Sequence, residues 1–337
     1  MSAKDKLQII LITFNRERFL SETLASLFCD TSPVKDFDIT ILDNHSTDGT
    51  SLLVKRYQSQ HNNLQYICHN RNIGGNANIA RAFEIARREY LWVICDDDEY
   101  DWSAWDEIEE AITENKKLIC VSDFNIPNEK RKDTAYLIHQ AAFLPSIIIH
   151  TSLLSDAVIR NIYDSSVFLF PHLAPVIMYI NQGGNIYLTP KPLVHFGRHD
   201  VDNSFIRGCK SNEIFIRART MSIVIGFANL ISNIEDKKLA RQCFKVIIYG
   251  NHQFKIGTYR FLCDIFLHLN GRENDMHITD LTMQAPFFLG VGIKITHMLS
   301  NTFLYPLLFK SFIYRLLRNL YDKCSKKTTT TSSHQSK

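Results

Sequence analysis

The chain lacks the patterns that mark nucleic-acid-binding, zinc-binding and secreted proteins. Its formal net charge over 337 residues is only +3, which does not favour a nucleic-acid partner. Its eight cysteines form no Cys-x-x-Cys pair and show no metal-ligand spacing. Met1 to Lys6 is polar and has no apolar core of a signal peptide. These absences predict a cytoplasmic protein whose thiols are reduced.

Long apolar runs are also missing. No stretch reaches the roughly 18 to 20 uninterrupted apolar residues that a membrane-spanning helix needs. Acids are scarce at the end of the chain, because residues 285–337 contain only Asp322 against eight Lys or Arg residues. Residues 285–322 are rich in Phe, Leu, Ile and Tyr, which predicts a helix lying on an anionic membrane surface. A helix packed on the rest of the chain, or in a homodimer, is the alternative.

The sequence does contain four short apolar runs, each ending in a cluster of polar residues. They are Leu7 to Ile12, Ile39 to Leu42, Leu64 to Cys68 and Leu91 to Cys95. Segments with helical spacing of apolar residues separate them. This alternation predicts an α/β fold with a mostly parallel central sheet flanked by helices. Ligands of such sheets bind outside the carboxyl ends of the strands, so all four polar clusters are expected at one edge.

Three of the clusters suggest specific chemistry. The fourth places acids at positions 96–99, and such crowded negative charge favours a bound cation such as Mg²⁺ or Mn²⁺, with a merely solvated loop as the alternative. In the second cluster, Asp43 needs hydrogen-bond donors, either from a ligand or from a helix N-terminus. In the third, Gly74 and Gly75 allow a ligand to approach the backbone, or simply make a turn.

Taken together and in this order, the clusters resemble the motifs of the family 2 glycosyltransferases. The matching residues are Ile12 to Arg16, Leu42 to Thr50, Asn70 to Gly75, and Asp96-Asp97-Asp98 as the DxD motif of the family. The resemblance implies a GT-A nucleotide-diphospho-sugar transferase fold over about residues 1–208, with a nucleotide-sugar half (about 1–110) and an acceptor half (about 111–208). Beyond it, apolar periodicity predicts a helical extension over 209–325, with helices over 214–231, 238–250 and 259–269. The Thr/Ser-rich residues 326–337 are predicted to be disordered.

The resemblance also implies roles for individual residues. Asp43 would accept a hydrogen bond from the nucleotide base, and a divalent metal, Mg²⁺ or Mn²⁺, would bind the DxD motif. Trp102 and Trp105 either stack on a sugar or pack in the core. Arg16 and Arg71 would contact the ribose or a phosphate, with a solvated surface arginine as the alternative for either. The implied donor-binding residues are Thr13, Phe14, Asn15, Arg16, Asp43, Arg71, Asn72, Gly74, Gly75, Asp96, Asp97 and Arg198. The implied metal ligands are Asp98, Asp96 and His199.

The acceptor side departs from the family. Members usually carry a Glu-Asp pair whose Asp is the catalytic base, just before a helix that corresponds here to Leu173 to Gln182. No acid precedes that helix in this chain. His172, at the helix start, is therefore predicted to be the base, since an imidazole of near-neutral pKa suits proton transfer. A packing or capping role is the alternative for His172, and Asp156 and Asp164 are the fallback bases.

The resemblance and the basic terminal stretch together predict an inverting glycosyltransferase. It would move a hexosyl or deoxyhexosyl group from a nucleotide-diphosphate sugar to a hydroxyl of a glycan acceptor. The acceptor is expected to be lipid-linked, in the synthesis of a surface polysaccharide such as O-antigen or capsule, with the protein at the inner face of the cell membrane. A non-catalytic scaffold on the same fold is the alternative. A nucleotidyltransferase is less favoured, because Thr13 to Arg18 contains no glycine.

Overall fold

The computed structural model describes residues 2–123, 126–166, 170–195, 197, 227 and 230–249. Each of the four predicted strands forms within one residue of its predicted bounds. The strands are β1 Leu7–Thr13, β2 Asp38–Asp43, β3 Leu64–Cys68, β4 Tyr90–Cys95, β5 Glu99–Tyr100, β6 Leu118–Cys120, β7 Ile147–His150, β8 Tyr187–Leu188 and β9 Val194–His195. The helices are α1 Ala3–Lys6, α2 Glu17–Phe28, α3 Thr50–Gln58, α4 Gly75–Glu84, α5 Trp105–Thr113, α6 Thr134–Ala141, α7 Asp156–Ser165, α8 Leu173–Asn181 and α9 Lys237–Tyr249.

Seven of these strands form one sheet in the order β3-β2-β1-β4-β7-β6-β8. The first four are mutually parallel, β7 is antiparallel to both of its neighbours, and β8 is parallel to β6. Six strands therefore end at the same edge, and β7 ends at the opposite one. The prediction of a mostly parallel central sheet is confirmed. A separate two-stranded ribbon pairs β5 with β9.

The core lies on both faces of this sheet. Alternate residues of β1 illustrate the pattern, since Ile9 and Leu11 belong to one apolar cluster and Ile10 to the other. Helices α2, α3 and α5 cover the first face, and α4, α6, α7 and α8 cover the second. Burial on both faces explains why the strands read as continuous apolar runs rather than alternating ones.

Helix α9 packs against α6 and confirms the helix predicted over residues 238–250. The predicted helix over 259–269, the predicted surface helix over 285–322 and the tail over 326–337 lie outside the described residues, as does most of the helix predicted over 214–231. Within the described part of the chain, no helix combines the length and the apolar character needed to cross a bilayer.

Candidate functional site

Each of the first three loops at the carboxyl edge of the sheet contains a residue with positive φ. These are Asn15 after β1 (53°), His45 after β2 (71°) and Gly74 after β3 (90°). Asn and His tolerate this region better than most residues do, and Gly adopts it freely. The first two loops are also joined, because the Asn15 N–H donates to Ser46 Oγ at 2.8 Å and the Thr47 N–H donates to Asn15 Oδ1 at 2.7 Å. These hydrogen bonds hold the loops after β1 and β2 together at the carboxyl edge of the sheet.

Asp43 is buried at the end of β2, where it accepts three hydrogen bonds. Its Oδ1 accepts from the Ser46 N–H (2.9 Å) and hydroxyl (2.6 Å), and its Oδ2 accepts from the Tyr66 hydroxyl (2.7 Å). Burial and the Asp43 carboxylate together raise the pKa of Tyr66 above its usual range. The residue that caps the starts of α2 and α3 is Asp48, whose carboxylate accepts hydrogen bonds from the N–H groups of Glu17 (3.0 Å) and Thr50 (3.1 Å). Asp43 is therefore a fixed carboxylate and does not cap a helix.

Asn44 and Asn72 lock the second loop to the third. The Asn44 amide donates to Asn72 Oδ1 at 2.8 Å, and Asn72 Oδ1 also accepts from the Gly74 N–H at 2.8 Å. Asn44 Oδ1 in turn accepts from the Ile73 N–H at 2.9 Å. Sequence reasoning assigned no role to the buried Asn44, although its place beside Asp43 was a usable signal. This pair fixes the loop that carries Gly74 and Gly75.

Exposed side chains flank these loops. Phe14 is 38% exposed and Ile73 is 40% exposed, although both are large and apolar. Arg71, Gly74 and Gly75 are exposed as well. The side chain of Arg71 makes no hydrogen bond or ion pair with any residue that the structure describes. The exposed side chains of Phe14 and Ile73, the charge of Arg71 and the accessible backbone together suit a ligand with a flat ring and a phosphate group.

Asp96, Asp97 and Asp98 lie in an acidic turn (residues 95–100) at the end of β4. Asp96 is 3% exposed and both of its carboxylate oxygens have protein partners. The Thr13 hydroxyl donates to Oδ2 at 2.6 Å, Arg16 Nε lies 3.2 Å from Oδ1, and the Thr23 hydroxyl donates to the Asp96 carbonyl at 2.8 Å. Burial raises the pKa of Asp96 to about 7, although Arg16 and Thr13 act to lower it. Asp96 thus joins β1, α2 and the acidic turn.

Arg16 is the counter-charge of the acidic turn. Besides Asp96, its guanidinium contacts Asp97 Oδ2 at 2.5 Å, and it lies over the Phe19 ring at 4.5 Å from the centroid. Its side chain is 33% exposed, so one side of the guanidinium stays open to a ligand. If Arg16 contacts a ribose or phosphate as predicted, it does so while it also contacts the carboxylates of Asp96 and Asp97.

Asp98 offers the donor chemistry of a metal site. Its Oδ2 is fully enclosed and has no hydrogen-bond partner among the described residues. One ligand atom each from Cys95, Asp97 and Asp98 lies within 4.8 Å of the others. Burial and the charge of Asp97 raise the pKa of Asp98 well above its usual range, and a cation would relieve that cost. The residues present therefore fit a divalent metal, through Asp98 and Asp97 rather than through Asp96.

A cavity of about 240 Å³ opens beside the acidic turn, between it and α2. Its lining is Phe19, Glu22, Thr23, Ser26, Asp96, Asp97, Asp98, Glu99 and Tyr100. The two tryptophans that follow do not line it. Trp105 is 4% exposed and packs against Phe37, while Trp102 stacks on Tyr100 and its indole N–H donates to Ser26 Oγ at 3.4 Å. Their positions favour the core-packing alternative.

His172 is 6% exposed and is held away from water. Its Nε2 lies 3.1 Å from the Ala142 carbonyl oxygen, and its Nδ1 is enclosed without a partner among the described residues. Apolar side chains line the small cavity beside it, among them Phe83, Leu91 and Val93. Burial lowers the pKa of His172 to about 4. These surroundings favour the packing alternative, and an imidazole of that pKa is poorly matched to the predicted role of base.

The other predicted acceptor-side residues are dispersed. Asp156 begins α7 just beyond β7, the strand that ends at the edge opposite to the acidic turn. Asp164 is an exposed residue near the end of the same helix. Arg198 and His199 lie outside the described residues. An acid that sequence reasoning missed, Asp123, follows β6 at the candidate-site edge and pairs with Arg131.

Comparison with known proteins gives a consistent result. The sequence profile described as Glycosyl transferase family 2 matches residues 8–178. Poly(ribitol-phosphate) beta-glucosyltransferase of Bacillus spizizenii is 33% identical over 94 residues, which are 28% of this chain and 15% of that protein. GalNAc(5)-diNAcBac-PP-undecaprenol beta-1,3-glucosyltransferase of Campylobacter jejuni is 30% identical over 95 residues, 28% of this chain and 30% of that protein. The matched stretch thus spans less than a third of either relative.

The fold has a counterpart among solved structures. The crystal structure of TarS residues 1–349 from S. aureus, in complex with UDP-GlcNAc, superposes with a TM-score of 0.61 at 15% identity. The match covers 88% of this chain and 89% of that chain. At this identity the similarity concerns the fold alone, and it confirms the GT-A fold predicted from the sequence.

Proposed function

Because the chain belongs to glycosyl transferase family 2, we propose that it transfers a sugar from a nucleotide-diphosphate sugar to a hydroxyl of a glycan. The observation that carries this proposal is the meeting of three features at one edge of the sheet. They are the buried carboxylate of Asp43, the loop fixed by Asn72, and the acidic turn. These features lie at the carboxyl ends of strands β2, β3 and β4, respectively, and together they suit a nucleotide base, a ribosyl diphosphate and a cation.

We propose that the nucleotide lies along the first three loops. Asp43 accepts a hydrogen bond from an N–H of the base, because a carboxylate has lone pairs beyond those used by Ser46 and Tyr66. Phe14 and Ile73 cover apolar surface of the base, which accounts for their exposure in the protein alone. Arg71 supplies a positive charge for the diphosphate.

We propose that a divalent cation, Mg²⁺ or Mn²⁺, is held by Asp98 and Asp97. Oxygen ligands from carboxylates and phosphates suit both ions. When bound, the cation stabilises the negative charge of the leaving diphosphate. Asp96 supports the turn through Thr13 and Arg16, and Arg16 adds a second positive charge near the diphosphate.

The proposed transfer is inverting and therefore needs a group that takes the proton of the acceptor hydroxyl. His172 meets this need only if the apolar segment around it opens, because its Nδ1 is enclosed and its Nε2 contacts the Ala142 carbonyl. The predicted role of His172 as base thus depends on a change of conformation on the acceptor side, whereas the proposed donor-binding residues Asp43 and Asn72 are already held by hydrogen bonds.

We further propose that the acceptor is lipid-linked, in the synthesis of a cell-surface polysaccharide, and that the protein acts at the inner face of the cell membrane. The relatives reported above include a poly(ribitol-phosphate) transferase and one whose named acceptor carries PP-undecaprenol. The basic, aromatic composition of residues 285–337 supports contact with an anionic membrane.

The test is a thermal-shift screen of UDP, GDP, dTDP and CDP, each with and without Mn²⁺. A ligand that binds the folded protein raises the apparent melting temperature by mass action. The proposal predicts a shift for one of these nucleotides that increases with Mn²⁺.

A non-catalytic scaffold is the second candidate, since no acid precedes α8. It would show the same shift without any metal-dependent release of nucleotide from the sugar donor.

A further inference from the structure

A short segment from the acceptor half of the chain lies directly on the acidic turn. We name residues 193–195 and 197 the brace. Within it, β9 pairs with β5, so that His195 lies opposite Glu99 and Val194 opposite Tyr100. The Asp101 N–H donates to the Leu193 carbonyl at 2.7 Å. The residues that immediately follow Asp98 are thus held by main-chain bonds to a segment about 95 positions further along the chain.

The brace is in turn fixed to the end of β6. The N–H groups of Leu193 and Val194 both donate to the Val121 carbonyl, at 2.8 and 3.1 Å. The Ser122 hydroxyl donates to the Val194 carbonyl at 2.8 Å. Leu193, Val194, Val121 and Ser122 are all fully buried. Because these groups are enclosed and paired, the brace has little freedom to move away from the acidic turn.

Gly197 makes the closest approach of the brace to the acidic turn. A Cβ built on Gly197 would overlap the Asp97 carbonyl oxygen and lie 2.8 Å from the Asp98 Cα. These are main-chain atoms, which cannot rotate out of the way as a side chain can. Gly184 gives a useful contrast, because the three atoms nearest to a Cβ there all belong to the side-chain ring of Tyr179. The Gly197 N–H also hydrogen-bonds Asp98.

We propose that Gly197 is a positioning residue for the metal ligand Asp98. The absence of a side chain lets the brace close on the main chain of Asp97 and Asp98, and the Gly197 N–H sets the direction of the Asp98 carboxylate. Residue 197 therefore couples the acceptor half of the chain to the cation of the donor half. This inference rests on the proposed metal site.

The test compares Gly197→Ala with Gly184→Ala in the full chain. Mn²⁺ affinity is measured without nucleotide, from the electron paramagnetic resonance signal of free Mn²⁺, and folding is checked by circular dichroism and melting temperature. Gly197→Ala should weaken Mn²⁺ binding by about tenfold or more, a loss equivalent to about 1.4 kcal/mol. Gly184→Ala, which crowds the Tyr179 ring and not the main chain of Asp97 and Asp98, should leave Mn²⁺ affinity unchanged. Unchanged affinity in folded Gly197→Ala overturns the inference.

A second pair of variants covers the case in which Gly197→Ala fails to fold. Ser122→Ala removes one attachment of the brace without crowding anything, and Ser146→Ala removes an equally buried hydroxyl that donates at 2.8 Å to the Gln140 carbonyl. Only Ser122→Ala should weaken Mn²⁺ binding, by roughly three- to tenfold for one lost hydrogen bond. Equal Mn²⁺ affinity in the two serine variants contradicts the inference. A wild-type chain that binds no Mn²⁺ refutes both the inference and the proposed metal site.

Discussion

Replacing Asp43 by Asn tests whether the buried carboxylate reads the nucleotide base. The change keeps the shape of the side chain but removes its charge. It also places an amide N–H₂, which is a donor, against the Ser46 N–H and hydroxyl or against the Tyr66 hydroxyl, which are donors to Asp43 in the wild type. A hydrogen bond to a charged acceptor contributes about 1.5 to 3 kcal/mol. Loss of the bond to the base should therefore weaken nucleotide binding by about one to two powers of ten. The mismatched donor should also lower the free energy of unfolding by about 1 to 3 kcal/mol.

Tyr66→Phe separates the two effects. It removes one donor to Asp43 while keeping the carboxylate, so it should reduce stability by a similar amount and change nucleotide affinity by less than about threefold. Binding is measured by titration calorimetry with the nucleoside diphosphate that gives the largest thermal shift, and with pyrophosphate, which lacks a base. Asp43→Asn should weaken binding of the nucleotide only. Equal losses for nucleotide and pyrophosphate, or no loss for either, would refute the role of Asp43 in base recognition.

Three further predictions concern other parts of the chain. Cys68 has an exposed thiol and lies opposite Asp43 in the pairing of β2 with β3. Nucleotide at ten times its Kd should therefore slow alkylation of Cys68 about tenfold and leave Cys29 unaffected. Equal protection of both thiols would contradict the proposed position of the base beside Asp43. Burial lowers the pKa of His172 to about 4 from 6.5, so between pH 4 and pH 6.5 the unfolded state binds more protons than the folded state. The free energy of unfolding of the wild type should therefore fall by up to roughly 3 kcal/mol as the pH drops from 6.5 to 4. His172→Ala should reduce that pH dependence and keep kcat within about threefold, whereas a loss of roughly two or more powers of ten at unchanged melting temperature would identify His172 as the base. Deleting residues 285–337 should release the protein from anionic vesicles, because each basic residue contributes about 1 kcal/mol at such a surface; retention on vesicles would contradict the membrane role.

The part of the fold that could be predicted from the sequence was the part with a local signal. Strands buried on both faces require continuous apolar runs, so β1 to β4 were visible, and their polar ends were placed correctly at one edge. The region after β4 was harder to predict. β5, β8 and β9 have two residues each, and no periodicity can be detected over two residues.

The site could be predicted only as a set of residue types. Which carboxylate faces a metal depends on partners that are distant in sequence, such as Thr13 for Asp96, 83 residues away. From the sequence, Asp96 was therefore included among the metal ligands together with Asp98, whereas in the structure Asp96 has protein partners and Asp98 Oδ2 has none among the described residues. Likewise, nothing near Gly197 in the sequence shows that it lies against Asp97.

We propose above that the acidic turn holds a cation that assists departure of the nucleotide. This proposal is tested most directly by the release of nucleoside diphosphate from sugar donors, including UDP-GlcNAc, by the wild-type chain and by Asp98→Asn. Release by the wild type should stop with EDTA and return with Mn²⁺, and the rate in the variant should be lower by roughly 10² to 10³. A wild-type rate that is indifferent to EDTA, or an Asp98→Asn rate equal to that of the wild type, would contradict it.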